Sequence, residues 1–154
     1  MSLHQTSYDS PLGPLRLVAE DSHLVGIYLP DHRRAPAPVD AGDSPVLAEA
    51  KRQLDAYFAG ETETFDLPLR PKGTPFQARV WEELRRIPHG ETISYAELAR
   101  RIGQPSAVRA VASANARNPL SIVVPCHRVI GTSGKLTGYA GGLDAKRFLL
   151  ELER

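Results

Sequence analysis

Residues 94–117 read SYAELARRIGQPSAVRAVASANAR, and this stretch predicts how the second half of the chain folds. Ser94 and Glu97 form a capping box that starts a short helix, and Gly103 is expected to end it. A Gln-Pro turn follows, and Ser106 is expected to cap the next helix. Two short helices joined in this way are a helix-turn-helix signature, although many helical hairpins without a ligand share the spacing.

The second of these helices carries small side chains along most of its length. Five alanines leave Arg109 and Arg117 as its long side chains. Small residues allow close packing against a neighbouring helix, but a slim helix can also approach a narrow nucleic-acid groove with an arginine reaching inward. The sequence leaves both interpretations open.

The first half of the chain predicts a small α/β unit. Residues 15–18 and 24–29 are short apolar runs separated by turn residues, as in a β-meander. A helix is expected to start at Ser44 and to end at Gly60, and residues 65–67 suggest one more strand. The apolar stripe of that helix comprises Val46, Leu47, Ala50, Leu54, Tyr57 and Phe58.

The rest of the second half predicts a helix-turn-helix with a small β wing. Thr74 caps its first helix, and residues 122–124 have the composition of a buried strand. A turn between residues 129–130 and 136–137 predicts the wing, and a last helix is expected from Leu143 to Arg154. The proline-rich run 68–73 is the expected linker. We therefore expect an α/β N-terminal domain, residues 1–72, and an α+β winged-helix C-terminal domain, residues 73–154.

Charge is distributed unevenly between these halves. Residues 1–72 hold 7 Lys and Arg against 11 Asp and Glu, whereas residues 73–154 hold 12 against 7, and ten of those twelve are Arg. A basic, arginine-rich half favours phosphate contacts and hence nucleic acid. No signal peptide and no membrane-length apolar run is present, and one cysteine fits a reducing compartment, so a cytoplasmic location is expected.

The chain's one cysteine lies in the run VVPCHRVI, residues 123–130. Cys126 is either an inert buried side chain or a nucleophile beside the titratable His127. In an extended strand the two side chains would diverge, so a bridging water is the natural link between them. Glu151 or Glu153 on the last helix could orient the imidazole.

Other site chemistries fit the sequence less well. Structural zinc needs four ligands, and one cysteine with five scattered histidines does not supply them, so no metal and no cofactor are expected. The glycine-rich run 138–142 lacks the lysine pattern of a phosphate-binding loop. A thiol protease would need a remote histidine and an oxyanion hole, and no such spacing is visible.

The run from Pro125 to Val129 resembles the active-site signature of the O6-alkylguanine-DNA alkyltransferases (methylated-DNA–protein-cysteine methyltransferases). The similarity covers essentially the whole chain. The other segments that carry it are residues 9–15, 90–95, 108–111, 118–119 and 138–143.

The resemblance implies a ribonuclease-H-like first domain without that catalysis and a DNA-binding winged second domain. It implies single-turnover, irreversible transfer of an alkyl group to Cys126 from O6-alkylguanine, and from O4-alkylthymine, in double-stranded DNA. The enzyme would enter the minor groove and flip the damaged base out of the stack. The alternative is a non-enzymatic sensor of alkylated DNA or a winged-helix transcription regulator; relatives of that kind replace the cysteine, so Cys126 favours transfer.

The resemblance also assigns roles to single residues. Cys126 attacks the alkyl carbon, His127 takes the thiol proton through water, and Glu153 orients His127. Asn118 braces the active-site turn, and Arg109 fills the space that the flipped base leaves.

The remaining residues are expected to contact the substrate or the DNA. Tyr95 matches the tyrosine that donates to the minor-groove nitrogen of the guanine, which offsets charge as the base departs. Lys146 aligns with a lysine near the rim of the alkyl pocket. The other residues assigned to these contacts are Ser121, Arg128, Tyr139 and Ala140.

Overall fold

The structure is a computed structural model. It describes residues 3–30, 32, 35–37, 42, 44–131, 133–134, 136 and 138–154. The N-terminal half contains an antiparallel sheet of three strands in the order β1-β2-β3. The strands are β1 (Leu3–Ser10), β2 (Gly13–Glu20) and β3 (His23–Tyr28). The meander is as expected, and β1 adds a strand that the sequence analysis did not include.

One helix, α1 (Pro45–Phe58), packs against this sheet. Ser44 caps it as expected, because its hydroxyl accepts a hydrogen bond from the Leu47 amide at 3.4 Å. The apolar stripe of α1 covers the sheet, and Leu47, Leu54 and Tyr57 are buried in the core.

The C-terminal half consists mainly of helices. Thr74 and Gln77 form the expected capping box at the start of the first of them, and Ser94 caps the next. The elements are α2 (Pro75–Leu84), β4 (Ile93–Ser94), α3 (Tyr95–Arg101), α4 (Val108–Ala116), a 3-10 helix (Cys126–Arg128), β5 (Val129–Ile130) and α5 (Leu143–Leu152).

Several local expectations are wrong in detail. Residues 122–124 form a turn, because Ile122 has a φ of 75° and does not continue an extended chain. β5 pairs in parallel with β4 instead of forming a hairpin with residues 136–137; Leu136 is not in a strand, and Thr137 lies outside the described residues. Ala107, not Ser106, precedes the first residue of α4.

The edge of the N-terminal sheet holds two segments of the chain in place. An edge strand has unpaired amides and carbonyls that need partners. Ile27 on β3 supplies two such contacts: its amide donates to the Pro119 carbonyl at 2.8 Å, and its carbonyl accepts from the Ser121 amide at 3.3 Å. Leu24 forms a similar isolated bridge with Leu69. The strand that was expected at residues 65–67 does not form, and the chain meets the sheet two residues later. The two halves therefore share one core, and β3 fixes residues 119–121.

Within the part of the chain that the structure describes, no helix combines the length and the apolar character needed to cross a bilayer.

Two glycines with positive φ give a matched test of local packing. Gly90 has a φ of 85° and a side-chain carbon there would lie 2.9 Å from the Glu153 carbonyl oxygen, whereas Gly103, with a φ of 77°, has open space around it. Both alanine substitutions carry the left-handed conformational cost of about 1–2 kcal/mol. We expect Gly90→Ala to lower the free energy of unfolding by more than Gly103→Ala in urea titrations. Equal losses of unfolding free energy in the two variants would contradict this expectation and would show that the Glu153 backbone moves aside at little cost.

Candidate active site

The segment before Cys126 is a tight turn with a strained residue. Ile122 is β-branched and buried, and its positive φ is energetically unfavourable for such a side chain. Asn118 braces the turn from both sides: its Nδ2 donates to the Val124 carbonyl at 2.8 Å, and its Oδ1 accepts from the Leu120 amide at 2.9 Å. The position of Asn118 matches the bracing role that the resemblance assigns to it.

Cys126 and His127 begin the 3-10 helix, not a strand. Successive side chains in such a helix point about 120° apart, so the two groups face different neighbours. Cys126 is 4% exposed and His127 is fully buried. Asn115 on α4 also contacts this helix, because its Nδ2 donates to the Cys126 carbonyl at 3.4 Å.

The Glu153 carboxylate is hydrogen-bonded to three side chains. His127 Nε2 lies 2.7 Å from Oε2, and Arg128 donates from Nε to Oε1 at 2.8 Å and from Nη2 to Oε2 at 3.0 Å. The Tyr57 hydroxyl of α1 donates to Oε2 at 2.5 Å. The third nitrogen of Arg128, Nη1, donates to the Ile87 carbonyl at 2.6 Å. We call Tyr57, His127, Arg128 and Glu153 the carboxylate network.

The charge state of this network fixes the tautomer of His127. Burial by itself would raise the pKa of Glu153, but the hydrogen bonds from His127, Arg128 and Tyr57 hold that pKa well below its usual range. An ionised carboxylate only accepts, so His127 Nε2 carries the proton. Burial lowers the pKa of His127, which keeps the imidazole neutral. His127 Nδ1 is then a lone pair, and it is buried with no hydrogen-bond partner among the described residues.

The Cys126 thiol is protonated in the resting protein. Burial raises its pKa, and a hydrogen bond from Asn118 and the charge of Lys146 oppose this shift only in part. Lys146 is itself completely buried, and burial lowers its pKa to about 8. A cation therefore lies within electrostatic reach of the thiol.

Tyr139 acts on Cys126 and on Ser121, and Tyr95 lies near Lys146. Burial and the nearby Cys126 raise the pKa of Tyr139 far above its usual value, while Ser121 opposes that shift. Among the described residues, the buried Tyr139 hydroxyl has no partner within hydrogen-bond geometry. Tyr139 and Ser121 are buried, and Ala140 and Tyr95 are half-buried. The Lys146 ammonium lies 6.0 Å from the centre of the Tyr95 ring, so Tyr95 is a neighbour of Lys146.

Arg109 lies apart from the carboxylate network, on the solvent-exposed face of α4. The opposite face of the helix, with Val111, Ala114 and Asn115, is buried. Small side chains separate Arg109 from Arg117 on the exposed face: Ala110, Ser113 and Ala116. This helix is therefore slim on the side that faces solvent, in addition to packing closely on its buried side.

Two residues that were expected to contact the substrate or the DNA, Arg128 and Lys146, are buried. Arg128 is 6% exposed and its guanidinium is used by Glu153 and the Ile87 carbonyl, so it does not form the expected surface for substrate or DNA. Lys146 is completely buried, and its charge acts on the Cys126 thiol. Of the two acids that were considered, Glu153 contacts His127, whereas Glu151 is exposed and pairs with Arg154.

Sequence reasoning missed two residues of this site. Asn115 lay unnoticed in the alanine-rich helix, and Tyr57 was assigned to the apolar stripe of α1. A signal existed for Tyr57, since a buried tyrosine hydroxyl nearly always needs a hydrogen-bond partner. Among the residues that the structure describes, no group of three or more His, Cys, Asp or Glu side chains could hold a metal ion.

The raised pKa of Cys126 can be measured directly. We expect the rate of alkylation by iodoacetamide to rise with pH with a midpoint above that of the urea-unfolded chain, whose thiol titrates near about 8.5. Restricted access of iodoacetamide to the buried thiol slows the reaction at every pH without moving the midpoint, whereas the cost of charging a desolvated sulfur raises the midpoint, so the two effects separate. A midpoint below that of the unfolded chain would contradict the protonated resting thiol.

Comparison with known proteins gives two family matches along the chain. Residues 3–71 match the 6-O-methylguanine DNA methyltransferase, ribonuclease-like domain, and residues 75–154 match the 6-O-methylguanine DNA methyltransferase, DNA binding domain. The predicted fold class, a ribonuclease-like unit followed by a DNA-binding unit, is confirmed by these matches.

Curated proteins and solved structures agree with the family matches. The methylated-DNA–protein-cysteine methyltransferase of Methanosarcina acetivorans is 49% identical, with 98% of each chain covered. The protein of the same name from Mycobacterium leprae is 52% identical, covering 99% of this chain and 93% of its own. The crystal structure of Mycobacterium tuberculosis OGT in complex with DNA has a TM-score of 0.91 at 51% identity, covering 97% of this chain and 92% of that one. The chain therefore belongs to the 6-O-methylguanine DNA methyltransferase family.

Proposed function

We propose that this chain repairs DNA by moving an alkyl group from the O6 atom of guanine onto Cys126, and that each molecule acts once. The observation that carries the proposal is the geometry beside the thiol. His127 follows Cys126 directly, and Glu153 holds it in the tautomer whose Nδ1 can accept a proton. The names of the relatives, which share about half of their residues with this chain, support the same reaction.

The first step of the reaction is loss of the thiol proton. Since burial keeps Cys126 protonated, a base must remove its proton before the sulfur can attack. We assign this role to His127 Nδ1, acting through a bridging water because the two side chains diverge on the 3-10 helix. Glu153 stabilises the imidazolium that results, and Arg128 and Tyr57 keep Glu153 in place.

The second step transfers the alkyl group. The Cys126 sulfur forms a bond to the alkyl carbon as the bond between that carbon and O6 breaks, and the electron pair of the broken bond remains with guanine. The proton that guanine regains balances the one that the thiol loses, so no cofactor is needed. We assign Tyr95 as the donor that offsets the charge developing on the base. A thioether has no thiol-exchange route back, which makes the transfer irreversible.

Duplex DNA is the proposed partner, bound through the exposed face of α4. That face has small side chains between two arginines, and it lies in the half with the net positive charge. We assign Arg109 to the place of the flipped base and Ser121, Tyr139 and Ala140 to the wall of the alkyl pocket. The Mycobacterium tuberculosis relative that was solved in complex with DNA supports DNA as the partner.

Three further parts of the proposal concern organisation and range. We place the division between the domains at residues 72 and 73, in the proline-rich run that follows the Leu24–Leu69 bridge. We extend the substrates to O4-alkylthymine, which presents an alkyl group on an equivalent exocyclic oxygen. We place the protein in the cytoplasm, where a single thiol that must stay reduced is protected from oxidation. The nucleophile and its base favour transfer over the role of a sensor.

Peptide mass spectrometry tests the transfer. After incubation with a duplex that contains O6-methylguanine, we expect the Cys126 peptide to gain one methyl group in place of a hydrogen. Cys126→Ser should show no gain while still binding the duplex. An unmodified peptide from wild-type protein that binds the duplex would support the sensor instead.

Arg109→Ala tests base flipping. Flipping costs a few kcal/mol, so we expect this variant to transfer at least about tenfold more slowly from duplex DNA. Its reaction with free O6-benzylguanine, which needs no flipping, should keep the wild-type rate. Arg85→Ala removes an exposed arginine that is not on α4 and controls for loss of charge. Equal losses on duplex and free base would refute the role of Arg109.

A further inference from the structure

A tyrosine hydroxyl links the N-terminal half to the carboxylate network. The Tyr57 hydroxyl on α1 donates to Glu153 Oε2 at 2.5 Å, and 96 residues of sequence separate the two. Tyr57 is 1% exposed, so water does not compete for this hydrogen bond. A residue of the first half therefore touches the acid that orients His127.

Tyr57 and His127 share the same oxygen atom. Glu153 Oε2 accepts from the Tyr57 hydroxyl, from His127 Nε2 at 2.7 Å and from Arg128 Nη2 at 3.0 Å, while Oε1 accepts from Arg128 Nε. An oxygen that accepts from three donors is fixed in position. Each of these hydrogen bonds draws charge from the oxygen and so weakens the hydrogen bonds from the other two donors. The Tyr57 hydroxyl thus affects both where His127 points and how strongly Glu153 supports its protonated form.

Ring packing explains why Tyr57 is buried but does not explain its hydroxyl. The ring lies 5.2 Å from Phe58 and 5.3 Å from Phe65, and it meets His89 edge-on at 6.2 Å. A phenylalanine would keep all three contacts. These contacts hold the ring rigidly, so the hydroxyl approaches Glu153 in a single orientation.

We propose that Tyr57 is a positioning residue of alkyl transfer, which holds Glu153 so that His127 presents Nδ1 toward the thiol of Cys126. This inference rests on the proposed function. It makes the N-terminal half a participant in the chemistry.

The proposal has a distinctive consequence for pH dependence. Without the Tyr57 hydroxyl, Glu153 Oε2 has one donor fewer and becomes a stronger acceptor for His127. The imidazolium is then better stabilised, and the pKa of His127 rises. The other charged groups that act on His127 are Arg128 of the 3-10 helix and Lys146 of α5, and Tyr57→Phe leaves them in place. Since the neutral imidazole is the base, the acid limb of the rate profile should move to higher pH.

Tyr57→Phe tests this, with Tyr8→Phe as its matched control. Tyr8 is also buried, and its hydroxyl donates to Asp55 on the same helix α1 at 2.7 Å, away from Glu153. Both variants lose one phenolic hydrogen bond, and thermal melts should show comparable losses of stability. Single-turnover transfer from an O6-methylguanine duplex is then measured at saturating DNA, across pH, together with the Kd for the duplex.

We expect Tyr57→Phe to keep the wild-type Kd for the duplex and to show the acid limb at higher pH. It should transfer the methyl group about tenfold more slowly at neutral pH, which is a fraction of the roughly 100-fold or more that a general base contributes. Tyr8→Phe should match the wild type in rate and in pH profile. A Tyr57→Phe variant with the wild-type limiting rate and acid limb would overturn the proposal, as would the same kinetic loss in Tyr8→Phe.

A second variant tests whether Tyr57 acts through Glu153. In the Glu153→Gln background, Tyr57→Phe should cause no further loss of rate, because the carboxylate it positions is gone. Independent losses that multiply would overturn this route. If the wild-type protein does not become methylated at Cys126, the proposed function itself is refuted. Failure of the proposed function is therefore distinguishable from failure of the role of Tyr57.

Discussion

The ion pair between Arg128 and Glu153 is the interaction on which the rest of the active site depends. Both side chains are almost fully buried, and removing two charges from water is costly unless their hydrogen-bonding groups are satisfied. Here Arg128 uses three nitrogens, and both carboxylate oxygens are occupied. The pair keeps Glu153 ionised, and an ionised Glu153 sets the tautomer of His127. It also anchors the last turn of the chain, where a helix end would otherwise fray.

The site lies where the two halves meet, although Cys126 and His127 belong to the second. The turn before Cys126 contains the strained Ile122, and such a conformation persists only when its surroundings hold it. Asn118 holds it from within the turn, and β3 holds residues 119–121 from the N-terminal sheet. Tyr57 contacts the other end of the network. The sheet thus supports the turn that leads to Cys126, and α1 supports Glu153, which contacts His127.

Local signals made the helices predictable, and the resemblance pointed to the site. The caps at Ser44, Thr74 and Ser94 are satisfied by residues three positions away, so each is readable without tertiary structure. Residues 122–124 are rich in β-branched side chains and predicted a strand, but the bonds of Asn118 to Leu120 and Val124 impose a turn. The roles of Tyr57 and Arg128 were missed because their partner, Glu153, lies 96 and 25 residues away, and periodicity carries no information on such contacts.

The protonation state of Cys126 fits a reagent that is used once. Thiols that catalyse repeatedly commonly have a lowered pKa, which keeps a reactive thiolate exposed to any electrophile. For a protein consumed by a single transfer, an unwanted reaction costs the whole molecule. Burial that raises the pKa of Cys126 keeps the thiol unreactive at rest, and the charge of Lys146 opposes that shift in part. In the proposed mechanism, His127 removes the thiol proton when an alkyl group is in line, so the carboxylate network would generate the thiolate only when it is needed.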